Sequence, residues 1–269
     1  MAGASADDPL ASVDLQAVAL KHAITRGKHF VDSRVSCKAC HGADFGGAAV
    51  VDIALVGHWV APNLTSGDGS VTKGFTANDW DRAVRHGVRH NGRSSSMPSG
   101  DFVNLSDHEL SDVVAYIRSV PAVNRDMGAV KFGPVFAYMI ATDPKAFVAA
   151  TIDHDKAHAV ESPVEAPTAE LGQHIVQVCR GCHGPQLSGG KLAGDPDMPI
   201  VANLTPHATG LQSWNESDFI RALREGKRKD GTAISKMMPW QAYGQMNDTE
   251  LKAVWAYLKT VPALEKGNH

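Results

Sequence analysis

The sequence is an internal repeat. Offset by about 140 residues, Asn63, Leu64 and Thr65 fall on Asn203, Leu204 and Thr205, and DWDRAVRHG from Asp79 falls on DFIRALREG from Asp218. Gly92 then matches Gly231, Met97 and Pro98 match Met238 and Pro239, and AYIRSVP from Ala115 matches AYLKTVP from Ala256. A repeat of this length is a whole folding unit, so the 269 residues are expected to build one kind of domain twice.

Within each copy the periodic segments are helical. Leu110, Val113, Val114 and Ile117 recur at three- and four-residue steps over Asp107 to Val120, giving one apolar stripe. Ser106 with Glu109 forms a capping box at its start, and Pro121 stops it. The second copy uses Asn247, Glu250 and Pro262 in the same roles, with Leu251, Val254, Trp255 and Leu258 as its stripe. Shorter helices fit Ala77 to Arg85 and Glu216 to Arg224, each closed by a glycine. No segment alternates well enough to predict a strand, so the expected fold class is all-α.

All four cysteines lie in two motifs, CKACH from Cys37 to His41 and CRGCH from Cys179 to His183. Two thiols at CxxC spacing add across the two vinyl groups of one porphyrin, while the adjacent histidine reaches the iron. A zinc site would need the two pairs to converge and would leave each following histidine unexplained. A redox dithiol would need a βαβ context that is absent. Two covalently bound hemes c are expected, held by Cys37, Cys40 and His41 and by Cys179, Cys182 and His183.

The motif fixes only one axial ligand. Met97 stands 56 residues after His41 and Met238 stands 55 after His183, each before a proline in a loop preceding the last helix of its copy. A thioether there favours ferrous iron and raises the potential. Met237 competes with Met238, and the shared Met-Pro pair favours Met238. His58, His86 and His90 are imidazole rivals to Met97. Arg85, Arg89, Arg224 and Arg228 suit heme propionates or, equally, solvated helix ends. Asn63 and Asn203 either hold the heme-facing loops or make turns.

A formal net charge of −3 and a pI near 6.5 argue against a nucleic-acid partner, which needs a basic face. The start, MAGASADDPLASVDL, has neither a basic beginning nor an apolar core of leader length, and reads as a mature or recombinant chain. The apolar stretch from Phe132 to Ala141 is far short of the about 20 residues that span a bilayer. It is expected to pack on the domains, and the polar stretch from His154 to Pro167 to act as a linker.

The chain resembles bacterial diheme class I c-type cytochromes related to the cytochrome subunits of membrane-bound alcohol and gluconate dehydrogenases. CKACHG, MPSGDFVNLSDHELSDVVAYIRSVP, CRGCHG, LSGG, NLTP and MMPWQAYGQMNDTELKAVWAYLKTVP carry the likeness, together with the linker from Phe132 through IDHDKAH. It implies two tandem class I cytochrome c domains, 1–121 and 168–269, joined by a linker at 122–167 that partly packs on them. It also implies a first helix carrying Gly27 or Gly172 crossing a last helix carrying Tyr116 or Tyr257, with His41 and His183 proximal and Met97 and Met238 distal. Gly27 lies ten residues before Cys37 whereas Gly172 lies seven before Cys179, so the first helix of copy one is expected to dock differently.

The implied function is an exported, periplasmic one-electron carrier rather than an enzyme, taking electrons from a dehydrogenase and passing them to a cytochrome or oxidase. The rival classes are a diheme enzyme, such as a peroxidase or sulfur-compound dehydrogenase, and a heme-based sensor.

Overall fold

A computed structural model describes residues 13–143, 145–191 and 200–267. Most of the N-terminal stretch read above for a leader lies outside the described residues. Helix α1 (Leu15–Ser33) begins at Asp14, whose carboxylate accepts the Ala17 N–H, and α2 (Lys38–His41) is the short turn that carries the first CxxCH. Strands β1 (Ala48–Ile53) and β2 (Gly57–Ala61) follow, then α3 (Ala77–Val84), α4 (Asp107–Ser119), β3 (Lys131–Phe132) and α5 (Pro134–Thr142). The second half holds α6 (Ala169–Ile175), α7 (Gln177–His183), α8 (Glu216–Glu225), α9 (Trp240–Tyr243) and α10 (Asp248–Leu258). The capping boxes read from the sequence close at Ser106/Glu109 and Asn247/Glu250, and two further ones start α3 and α8.

The all-α expectation misses one small element. Strands β1, β2 and β3 form an antiparallel sheet in that order, with Ala48 opposite Ala61, Ile53 opposite Gly57 and Gly57 opposite Phe132. A bulge between Ala49 and Val51 breaks the alternation that would have marked β1, and β3 is only two residues long. The apolar run after β3 packs here. Trp59 of β2 stacks edge-on against Phe136 at 4.4 Å between centroids, and Phe132 and Phe147 complete the ring cluster. Tyr138 and Met139 on α5 remain exposed.

Among the described residues two separate hydrophobic cores organise the rest. One gathers Val31, Val35, Phe45, Trp80, Val113 and Ile117; the other includes Leu171, Ile175, Val176, Leu251, Val254 and Leu258. In each, a glycine lets two helices touch backbone to backbone. A Cβ on Gly27 would lie 1.9 Å from the Asp112 carbonyl oxygen, and one on Gly172 would lie 2.0 Å from that of Ala253. Tyr116 and Tyr257 flank these contacts in the same way. The two crossings are thus alike, and the expectation that α1 docks differently is not met. The three extra residues fall instead between α1 and α2, where they deliver Arg34.

Arg34 joins the two halves. It donates to Glu250 at 2.7 Å and to Glu109 at 3.2 Å, and both carboxylates are nearly inaccessible. His29, two residues beyond Gly27, meets Glu250 at 2.8 Å, and His174, two residues beyond Gly172, meets Glu109 at 2.8 Å. The crossed pairs are related by the repeat itself; Arg34 alone breaks the symmetry. The polar linker is pinned rather than free: Asp107 and His108 donate their N–H groups to the carbonyls of Ala159 and Val160, and Glu165 accepts from the Asn247 side chain at 2.7 Å.

Burial pushes Glu109 and Glu250 up, but their histidine hydrogen bonds, Arg34 and the capping N–H groups outweigh it, so both lie below the ordinary 4.5. Their ionisation therefore stabilises the fold in full above that value, and the contribution drains away as pH falls below it. Arg34→Leu should cost about 3 kcal/mol, the low end for breaking a buried ion pair, because each carboxylate keeps its histidine. Denaturant unfolding of the holoprotein at about pH 7 and about pH 4 checks both points: the loss on acidification should shrink when Glu109 and Glu250 are both replaced by glutamine.

Candidate heme sites

Each CxxCH motif occupies a short helix that leads into a glycine with positive φ, Gly42 after α2 and Gly184 after α7. One helical turn puts the two cysteines on the same side and turns the histidine inward. His41 and His183 are both buried. Their Nδ1 atoms donate to the Pro62 and Ala202 carbonyls at 2.9 and 2.8 Å. A carbonyl can only accept, so Nδ1 carries the proton and Nε2 keeps its lone pair. Burial also holds both imidazoles below their ordinary range, so they are neutral near pH 7.

The loops that present those carbonyls are held by the residues just after them. Asn63 is fully buried; its amide donates to the Val123 and Arg125 carbonyls at 2.6 and 3.1 Å, and its oxygen accepts from the Thr65 N–H at 2.9 Å. Asn203 repeats this with the Leu264 carbonyl at 2.7 Å and the Thr205 N–H at 2.8 Å. Val123 and Leu264 each lie two residues past the proline that stops the last helix of their copy. The asparagines are therefore anchors, not simple turn residues.

The Met-Pro segments also match. Pro98 and Pro239 have φ/ψ of −76/59 and −77/53, and the Met97 and Met238 carbonyls accept from the N–H groups of Ser99 and Trp240 at 2.8 and 2.7 Å. Met238 packs against the second core, as Cys179 and Tyr243 do, while Met237 is 53% exposed. The imidazole rivals of Met97 have other partners: His58 pairs with Asp52, His90 with Asp79, and His86 with His154 and His158. Arg85 is taken up by Asp81, Asp107 and the Leu105 carbonyl, and Arg224 by Asp248 and the Gly244 carbonyl. Both brace the last helix of their copy, and the reading of these two as propionate partners is set aside.

The donor set fits a covalently attached heme. The four thiols are unpaired, and no cysteine belongs to a cluster of three potential metal ligands among the described residues. Burial pushes the Cys37 and Cys179 thiols up to about 12, which rules against a reactive dithiol. Among the described residues three buried polar atoms, Ser36 Oγ, Trp80 Nε1 and Arg180 Nε, have no hydrogen-bond partner.

The model of the cytochrome c family matches residues 24–121 and 169–262, and the chain belongs to that family. It is 25% identical to the cytochrome c subunit of a quinone-dependent alcohol dehydrogenase of Gluconobacter oxydans, over 91% of this chain and 56% of that subunit. It is equally similar, at 25%, to a diheme cytochrome c-type protein of Cereibacter sphaeroides, over 85% of this chain and 83% of that protein. The cytochrome c subunit of a gluconate 2-dehydrogenase of Pantoea cypripedii is also 25% identical, over 89% of this chain and 60% of the subunit. The chain thus spans little more than half the length of these dehydrogenase subunits. It binds covalent heme c, two matched regions fitting two hemes, and its class of chemistry is electron transfer.

Sequence reasoning missed how the halves meet at the second site. Asp101, four residues after Met97, lies against the backbone of Gly181, where a Cβ would sit 2.7 Å from its carboxylate. Burial pushes Asp101 up to about 6. The carboxyl is then neutral below that pH and anionic above it, and an anion beside the second CxxCH favours ferric iron. The potential of the second heme should fall as pH rises through about 6, and Asp101→Asn should flatten that dependence in a redox titration run from pH 5 to 8.

Proposed function

We propose that this chain is a diheme electron carrier built of two tandem cytochrome c domains, 1–121 and 168–269, with 122–167 as a linker that packs on them. His41 with Met97 and His183 with Met238 are the axial ligands, and Cys37, Cys40, Cys179 and Cys182 the attachment points. The observation that carries this is the matched pair of buried histidines, each with Nδ1 tied to a loop carbonyl and each accompanied by a Met-Pro turn of the same geometry. Bound heme supplies a one-electron ferric/ferrous couple. The chain's part is to hold each Nε2 in place, limit water around it and leave a route for electrons at the surface.

The donor is a dehydrogenase and the acceptor a cytochrome or oxidase, on the periplasmic side of the membrane; relatives named as dehydrogenase subunits support this choice. Among the described residues no helix is long and apolar enough to cross a membrane. No substrate is transformed, because a thioether at the sixth position leaves no open coordination site for one. Docking should be weak and fast, since a carrier must release its partner after each electron.

The two sites are not equivalent. The Met238 turn leads into Trp240, whose ring lies against Gly226, and Tyr243, which packs on the second core; the Met97 turn is built of serine and glycine. A looser distal loop admits water and lowers potential, so the first heme should have the lower potential and bind carbon monoxide more readily. A redox titration resolved by heme, on wild type, Met97→Ala and Met238→Ala, tests ligands and order together. Each variant should abolish one of two near-infrared methionine-to-iron bands and lower one potential. Unchanged bands would refute the ligand assignment; peroxide turnover by wild type would place the chain among the diheme enzymes.

A further inference from the structure

Among the described residues one cluster of side chains outside the proposed heme ligands has metal-ligand chemistry. Asp81 on α3, His86 just past its end and His158 in the segment between α5 and α6 each bring one donor atom to within 4.8 Å of the others. We propose that these three residues bind a divalent transition metal, with zinc the best match, and that His154 orients His86 from behind.

The spacing carries the inference. His86 Nε2 lies 3.1 Å from His158 Nε2 and 3.7 Å from Asp81 Oδ2. Tetrahedral zinc with bonds of about 2.0–2.1 Å keeps its donor atoms about 3.3 Å apart, between the two separations found here. Two imidazoles and a carboxylate form a borderline nitrogen and oxygen set that suits zinc, and three protein ligands leave a fourth position for water. Asp81 offers Oδ2 because Oδ1 already accepts from Arg85 at 2.6 Å.

The surroundings fix the tautomers. His154 Nε2 donates to the Ala149 carbonyl at 2.9 Å, so in the neutral ring its Nδ1 is an acceptor. His86 Nδ1 lies 3.0 Å from that atom and must be the donor, which leaves the His86 Nε2 lone pair facing Asp81 and His158. An imidazole whose second nitrogen is engaged in this way is the usual arrangement of a metal-ligating histidine. The metal-free alternative is a chain of imidazole hydrogen bonds ending at His158, with Asp81 Oδ2 acting only as a counter-ion to a protonated His86.

The site lies where the returning linker meets the first domain, next to the loop that carries Met97. The Gly87 carbonyl, one residue past His86, accepts from the Ser95 N–H at 2.7 Å. A bound ion would therefore clasp the segment bearing His154 and His158 to α3 and brace the Met97 loop through Gly87.

The test uses heme-loaded protein stripped with a chelator and titrated with zinc by calorimetry, with X-ray absorption at the zinc edge. Wild type should take up one zinc with nitrogen and oxygen neighbours at about 2.0–2.1 Å. Asp81→Asn and His158→Ala should each lose that site while keeping the wild-type heme spectrum, which reports that they are folded. His154→Gln should weaken binding by about 10–100-fold, the usual effect of removing an outer partner. His207→Ala, at an exposed histidine elsewhere, should change nothing. Absence of a site in wild type, or zinc bound equally by Asp81→Asn and His158→Ala, would overturn the proposal.

Discussion

A hydrogen bond from a buried imidazole to a backbone carbonyl is the constraint around which each half is arranged. His41 and His183 can offer Nε2 to iron only if Nδ1 is held and protonated, and the Pro62 and Ala202 carbonyls do both. Those carbonyls stay in place because the next residue, Asn63 or Asn203, is buried and bonded to the chain leaving the last helix. The strap after α4 or α10 therefore reaches the buried imidazole through two hydrogen bonds, linking the C-terminal end of each repeat to the CxxCH motif at its start.

Around this duplicated unit the interface adds the asymmetry. The crossed contacts His29 to Glu250 and His174 to Glu109 use equivalent positions on both halves, so a two-fold relation comes with the duplication. Arg34 has no counterpart in the second half and satisfies both carboxylates. A pair of buried carboxylates close enough to share one guanidinium would repel without it, so the three-residue difference between the halves has an electrostatic purpose. The glutamates serve twice, capping their own helices and holding the neighbouring half.

Much of this could be read from the sequence because the signals were local or repeated. The CxxCH motifs, the Met-Pro pairs and the capping boxes at Ser106 and Asn247 are defined within a few residues, and duplication marked the important ones. The interface was hidden because Glu109 and Glu250 already had a sufficient local explanation as caps, and no local pattern singled out His29 or His174. The one available cue was that both histidines stand two residues past the crossing glycine. The sheet was hidden by a bulge at Val50 and by a third strand that arrives from the linker. The imidazole cluster was hidden because two of its members come from a stretch read as a polar tether.

The desolvation of Cys37 and Cys179 has a consequence for how a chain of this family is made. In the folded chain desolvation holds the Cys37 and Cys179 thiols far from the thiolate form, and Gly181, inside the second motif, lies against the Asp101 carboxylate of the other half. Thioether formation on such groups is slowed once the fold has closed, because the thiolate is the reactive form. Attachment is therefore favoured while the polypeptide is open, before each core closes around its motif.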